Sequence, residues 1–298
     1  MEDGDRPGLP PGTLAGARFD RWSPGRARLI VADVDGTLVG PHPHATDAVA
    51  AAVARVQRAG IRFGFATGRM RLAVEDLYEQ LGASGPHVLH NGAEVRLDGE
   101  TVGAWPLTPA QVGAIVGLCG ERGWYAELYT EHGYYVSSFD ERFEPHWELL
   151  GRPPLGLPDA LEPESTVFKA TFGVVGEELV PDIEQALADL GLRAGTAGSP
   201  LTPELTYINA TSSEADKGRA LARAADAVGI GLADVVAVGD GRNDLSMLEV
   251  AGTAIAMGNA HEQVKQVAHL IVPEVAQDGI VHALDACVTW ASDAHRRR

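Results

Sequence analysis

The run Leu29-Ile-Val-Ala-Asp33-Val-Asp35-Gly-Thr-Leu38 constrains this chain more than any other stretch. A short apolar segment stops at two aspartates two residues apart, then at Gly36 and Thr37. The apolar part reads as a buried strand and the Asp/Gly/Thr cluster as the tight loop at its C-terminal end. In open parallel α/β sheets, that end of the strands is where ligands bind. Two carboxylates placed there can do chemistry that neither could do alone.

The pattern around this strand repeats. A helix is expected over 46–59, a strand over Ile61–Ala66, a helix over about 70–82 and a short strand at Val88-Leu89. Strand–helix–strand order argues for parallel pairing. From Ser213 the alternation returns, with helices at 215–228, 244–251 and 261–267 and strands at Val235–Val238, Thr253–Ala256 and Leu270–Val272. A closing helix follows Gly279. Between them, 95–203 has a different texture. It holds most of the aromatic residues, among them Trp105, Trp124, Tyr125, Tyr129, Tyr134, Tyr135 and Trp147, and a Pro-rich stretch from Arg152 to Pro163. Strands near 124–129, 133–137 and 167–173, with helices at 108–123 and 178–190, make it an α+β unit with its own core. The expected organisation is an α/β core over 28–94 and 204–298, interrupted by an α+β domain over 95–203. Residues 1–27, rich in Gly, Pro and Arg and without periodicity, read as a flexible leader.

Three further segments lie just past an apolar strand or on the same rim: Thr67-Gly68-Arg69, Lys217-Gly218 and Gly239-Asp240-Gly241-Arg242-Asn243-Asp244. Parallel strands would gather Asp33, Asp35, Asp240 and Asp244 from opposite ends of the sequence into one cleft. Crowded carboxylates must either raise a pKa or bind a cation. Oxygen ligands without histidine or cysteine favour a hard ion such as Mg²⁺ over zinc. Thr67 offers a hydroxyl, Lys217 a positive charge and Asn243 an amide, groups that suit phosphate oxygens. Gly36 and Gly68 let backbone N–H groups approach an anion closely. The set reads as carboxylate nucleophile, metal and phosphate clamp.

These segments resemble the four ordered motifs of the haloacid dehalogenase-like (HAD) hydrolase superfamily, across nearly the whole chain from about residue 28. Asp33-Val-Asp35-Gly-Thr resembles the first, Thr67 in Ala-Thr-Gly-Arg the second, Lys217 the third and Gly239-Asp240-Gly-Arg-Asn-Asp244 the fourth. A domain inserted between the second and third resembles the type IIB cap of Cof-type sugar-phosphate phosphatases. Asn91-Gly92-Ala93, Met257-Gly258-Asn259-Ala260, Val264-Lys265 and Asp278-Gly279 are similar to further Cof-type pieces. The resemblance implies a Rossmann-like three-layer core with a parallel sheet. It implies an Mg²⁺-dependent phosphatase acting on a small phosphorylated metabolite, plausibly a sugar phosphate. Asp33 would be the nucleophile and Asp35 the acid and then base. Mg²⁺ would be held by the Asp33 carboxylate, the Asp35 carbonyl and Asp240, with Asp244 a ligand or its support. Thr67, Gly68, Lys217 and Asn243 would hold the phosphoryl oxygens. An aspartate at 35 sets the chain apart from the dehalogenases and P-type pumps, which lack one there. A phosphomutase or a non-catalytic phosphometabolite sensor remains an alternative. Thr211-Ser-Ser-Glu-Ala-Asp-Lys217 departs from the usual lead-in to the third motif, and Ala268-His269 stands where Ala-Asp is common.

Charge and composition bound the rest. A net charge of −17 at pH 7 is a poor match for a nucleic-acid backbone. No apolar run is long enough to span a bilayer, and Met1-Glu-Asp-Gly-Asp5 lacks a basic-then-apolar signal pattern. Cys119 and Cys287 have neither a near partner nor metal-ligand spacing, which suits a reducing cytoplasm. Oligomeric state is open between monomer and dimer. Outside the four motifs, plainer roles are expected. His42 and His44 read as a solvated loop, His87 and His90 as packing, the aromatics of 124–135 as cap core and Arg296–Arg298 as a solvated end. Arg69 reads equally as a cleft residue or an exposed helix-start arginine. Lys169 is a candidate substrate contact on a cap strand, or a structural lysine.

Overall fold

The computed structural model describes residues 26–42, 44–199 and 202–296. All but the end of the expected leader, and the last two arginines, lie outside the described residues. Leu29–Asp33 forms β1, and every residue of it is buried. Thr46 caps α1 (Asp47–Arg58), its hydroxyl accepting from the Val49 N–H, and Val49, Ala52, Val53 and Val56 put one face into the core. Then come β2 (Arg62–Ala66), α2 (Glu75–Leu81) and β3 (His87–Leu89). The helix expected over 70–82 is split: a 3-10 turn at Arg71–Ala73 precedes α2. A hairpin of β4 (Glu94–Leu97) and β5 (Glu100–Ala104) follows.

The middle of the chain supplies α3 (Pro109–Arg122), β6 (Tyr125–Thr130), β7 (Tyr134–Val136), α4 (Glu144–Leu149), β8 (Val167–Val175), α5 (Val180–Asp189), β9 (Leu192–Ser199) and β10 (Thr202–Ser212). The last part supplies α6 (Lys217–Ala227), β11 (Val235–Gly239), α7 (Leu245–Val250), β12 (Thr253–Ala256), α8 (Glu262–Val267), β13 (Leu270–Ile271) and α9 (Gly279–Arg296).

Two sheets result. The larger has the order β13-β12-β11-β1-β2-β3-β4-β5, parallel from β13 to β3 and antiparallel at β4 and β5. The smaller, β7-β6-β8-β10-β9, is antiparallel throughout. Each has its own apolar core, the second built on residues such as Ile115, Phe172, Ile183 and Ile208. Strand membership departs from the expected division at 95 and 203. The large sheet keeps the chain through Ala104, and the small sheet keeps it through Ser212.

Strand order explains where a site can form. From β1 the chain winds outward through β2 and β3, and from β11 it winds the opposite way through β12 and β13. Right-handed crossovers put α1 and α2 on one face and α7 and α8 on the other. Helix α9 packs on α1, and α6 on α7, which completes three layers. The winding reverses between β1 and β11, and a crevice opens there beyond the strand ends. Register places Val31 beside Ala237 and Ala32 beside Val238, so Asp33 meets the Gly239-Asp240 turn at that crevice.

Candidate active site

Asp33 is the last residue of β1, and Asp240 follows β11 directly. Asp244 sits in the 3-10 turn that leads into α7. Asp33, Asp240 and Asp244 each offer a carboxylate oxygen within 4.8 Å of the others. Lys217, the first residue of α6, is buried between two of them. Its ammonium donates to Asp33 and, at 2.6 Å, to Oδ1 of Asp244. The other Asp244 oxygen accepts the backbone N–H groups of Asp240 and Gly241, both at 2.9 Å. Asp244 thus spends both oxygens on holding Lys217 and the 240–241 turn. Asp216 caps α6 by accepting from the Arg219 N–H at 2.8 Å, so the unusual lead-in still delivers Lys217 to the cleft.

The loop after β1 is tied back on itself: the N–H groups of Thr37, Leu38 and Val39 all reach the Val34 carbonyl. Gly36 has φ +86°, and any β-carbon there would collide with the Asp240 carboxylate. Thr37 donates its hydroxyl to Asp240 Oδ1 at 2.8 Å. Asn259 Nδ2 bridges the Gly36 carbonyl at 2.9 Å and Asp240 Oδ2 at 3.3 Å. Asp35, by contrast, is exposed, and the Arg69 guanidinium holds its carboxylate through Nε, at 3.0 Å, and Nη2.

Thr67 and Gly68 enter from the neighbouring strand, where Asp33 pairs with Ala66. The buried Thr67 hydroxyl accepts the Arg69 N–H at 3.1 Å. Gly68 lies so close to Asn91 that a β-carbon would stand 2.8 Å from Asn91 Oδ1. That same Oδ1 accepts from Asn243 Nδ2 at 3.1 Å. All eight expected residues therefore converge on one rim. Three supports, in segments noted above but without a role there, complete the rim: Thr37 and Asn259 hold Asp240, and Asn91 links Gly68 to Asn243. Asn91 and His90 share positive φ, at 57° and 52°, a strained pair whose signal was the His-Asn-Gly turn itself. Both His42 and His44 are exposed, and His90 stacks on Phe168 with ring centres 5.2 Å apart.

The electrostatics favour a cation. Burial raises the Asp33 carboxyl well above its usual range; Asp244 adds to this while Lys217 pulls against it. Burial, with Asp244 adding, raises Asp240 to about 6 even though Thr37 stabilises its anion. Burial works against the Lys217 ammonium too, but Asp244 and Asp33 outweigh it and keep it charged. With all three carboxylates ionised, one ammonium leaves two negative charges uncompensated. A divalent ion fits that deficit, and the all-oxygen donor set fits a hard one.

A doubly wound parallel sheet with an acidic crevice at its switch point, in contact with a second, antiparallel sheet, defines a two-unit α/β protein. The family model described as haloacid dehalogenase-like hydrolase matches residues 30–284, and the chain belongs to that family, in its Cof-type branch. Curated relatives agree. One is the 5-amino-6-(5-phospho-D-ribitylamino)uracil phosphatase YwtE of Bacillus subtilis, 29% identical over 87% of this chain and 97% of that one. Another is the pyridoxal phosphate phosphatase YbhA of Escherichia coli, 26% identical over 85% of this chain and 96% of that one. A haloacid dehalogenase-like hydrolase from Bacteroides thetaiotaomicron shares the fold, with a TM-score of 0.77 over 87% of this chain, 98% of that chain and 24% identity.

Proposed function

We propose that this chain is a phosphomonoesterase that hydrolyses a small phosphorylated metabolite through an aspartyl-phosphate on Asp33. The observation that carries the reading is the Lys217 ammonium bridging Asp33 and Asp244 beside Asp240, with four distant segments meeting there. The relatives above, phosphatases of phosphorylated metabolites by name, support the class and leave the substrate open.

In this reading an Asp33 oxygen attacks phosphorus and the bond to the ester oxygen breaks. Asp35 gives that oxygen its proton. Water then attacks the phosphorus of the aspartyl-phosphate, Asp35 takes the proton, and the bond to Asp33 breaks. Lys217, Thr67, Asn243 and the Gly68 backbone hold the phosphoryl oxygens, acting by position and charge. Asp33, Asp240 and the Asp35 carbonyl would hold Mg²⁺, with Asp244 bracing Lys217 and the 240–241 turn. The bound ion supplies positive charge that keeps Asp33 an anion and offsets charge on the phosphoryl group. Asp35 must leave Arg69 to act, so the ion pair seen here belongs to the substrate-free state.

The small sheet with α3, α4 and α5 serves as the cap that covers this crevice and excludes water. Its aromatic face already seats Met70 of the large unit among Tyr125, Tyr129, Tyr134 and Tyr207. Cys119 and Cys287 are buried and unpaired, and no helix among the described residues is long and apolar enough to cross a membrane, which supports a cytoplasmic setting. The test is phosphate release from a panel of phosphorylated metabolites with Mg²⁺. Wild-type protein should release phosphate, and Asp33→Asn should lose at least about a thousandfold in kcat/KM. Equal activity in Asp33→Asn would remove the nucleophile from the account.

A further inference from the structure

Lys169 lies in the middle of β8, on the small sheet, and is almost fully buried. Its ammonium crosses to the large unit and donates to the Gly68 carbonyl at 2.9 Å. It also stands 4.3 Å from the centre of the Tyr129 ring. An ammonium carries three donors, and among the described residues the Gly68 carbonyl is the one hydrogen-bond acceptor it reaches. No carboxylate among them lies within 4.0 Å of it. Glu127, on the adjacent strand β6, favours the ammonium through charge without contacting it; its carboxylate takes the Tyr125 hydroxyl at 2.8 Å, the Tyr129 hydroxyl and His146 at 3.3 Å. Arg69, the other cation beside Gly68, is neutralised by Asp35.

A buried ammonium without a carboxylate in contact is costly, and the more distant Glu127 charge and cation–π contact with one ring offset only part of that cost. Burial accordingly lowers the Lys169 ammonium to about 8, with the Glu127 charge pulling the other way. The ammonium, with donors still unused among the described residues, sits against the peptide that begins the phosphate-binding loop. It comes from the cap, the side on which a leaving group must lie if Asp33 attacks from below.

We propose that Lys169 contacts the substrate, its ammonium holding an anionic group on the leaving group, so that preferred esters carry a carboxylate or a second phosphate near the ester oxygen. This rests on the phosphatase reading above. The anion would take the donors that Gly68 leaves free and put a counter-charge in contact with the ammonium. It would also link substrate binding to cap closure, because the same ammonium bridges the two units.

Matched esters test it. Phosphoglycolate against ethyl phosphate reads the carboxylate, and ethylene glycol bisphosphate against the monophosphate reads the second phosphate. Wild-type kcat/KM should favour the anionic member of at least one pair by about tenfold or more, the range of a charge-assisted hydrogen bond. Lys169→Met keeps the length of the side chain and removes its charge. It should cost the anionic ester about ten times more than its partner, collapsing the ratio. Lys169→Arg, which keeps the charge, should retain the preference. Thermal melts check that the variants fold, and the wild-type ratio stands without them. No preference in the wild type, or one that survives Lys169→Met, overturns the inference alone. So does an equal loss on both members, which would make Lys169 a strut between cap and core. Absence of Mg²⁺-dependent release from every ester would instead overturn the phosphatase reading, and this inference with it.

Discussion

At the scale of single residues, Lys217 carries the most. It is the buried cation between two buried carboxylates, so its removal leaves Asp33 and Asp244 facing each other unpaired. Lys217→Met should therefore destabilise the fold by about 3–5 kcal/mol, read as a fall in the urea midpoint. Activity should fall as well. A stable but inactive variant would mean that the carboxylates relax or take up protons at little cost. The site was legible as an ordered set: Asp33 and Asp35 end one apolar run, Asp240 follows another, and Thr67, Lys217 and Asp244 fall in order with them. Thr37, Asn91 and Asn259 were less legible. Their segments stood out by resemblance, but each works through hydrogen bonds to residues distant in sequence, which no local pattern gives.

At the scale of elements, caps and burial decided what the sequence could show. Helix α3 begins with Thr108, Pro109 and a reciprocal bond pair with Gln111, a start signal readable from sequence alone. Thr108→Ala removes one side of that pair, far from the carboxylates. It should cost about 1 kcal/mol in equilibrium unfolding while leaving kcat unchanged. A fall in kcat would show that α3 is coupled to the site. The hairpin of β9 and β10 was not anticipated. Its first strand, Leu192–Ser199, is rich in Gly and Ala and lies at the sheet edge, so it shows no apolar alternation. Its pairing with β10 comes from the partner strand instead. The short α4 was hidden for a related reason: six residues beside a Pro-rich stretch hold no helical period long enough to read.

At the scale of the molecule, a sheet that reverses its winding places the acidic crevice, and charge balance makes that crevice a cation site. Asp240 shows the consequence for pH. Its folded pKa, about 6, is above the unfolded value of 3.8, so the metal-free folded state binds more protons between those values. Its contribution to stability therefore declines as pH rises through that window. Mg²⁺ needs the ionised form and reverses the trend. The gain in melting temperature on adding Mg²⁺ should be larger near about pH 7.5 than near about pH 5. An equal gain at both would place the ion elsewhere. The two-unit architecture was legible from the shift in texture near residue 95, but not its edges: β5 and β10 extend each sheet past the compositional change. In the proposed route Asp33 takes the phosphoryl group before water does. Two displacements at phosphorus return its original configuration, whereas one inverts it. The direct measurement is the stereochemical course of hydrolysis, using a phosphorothioate monoester made chiral by oxygen isotopes in isotopically labelled water. Net retention is the predicted result, and net inversion would contradict the account.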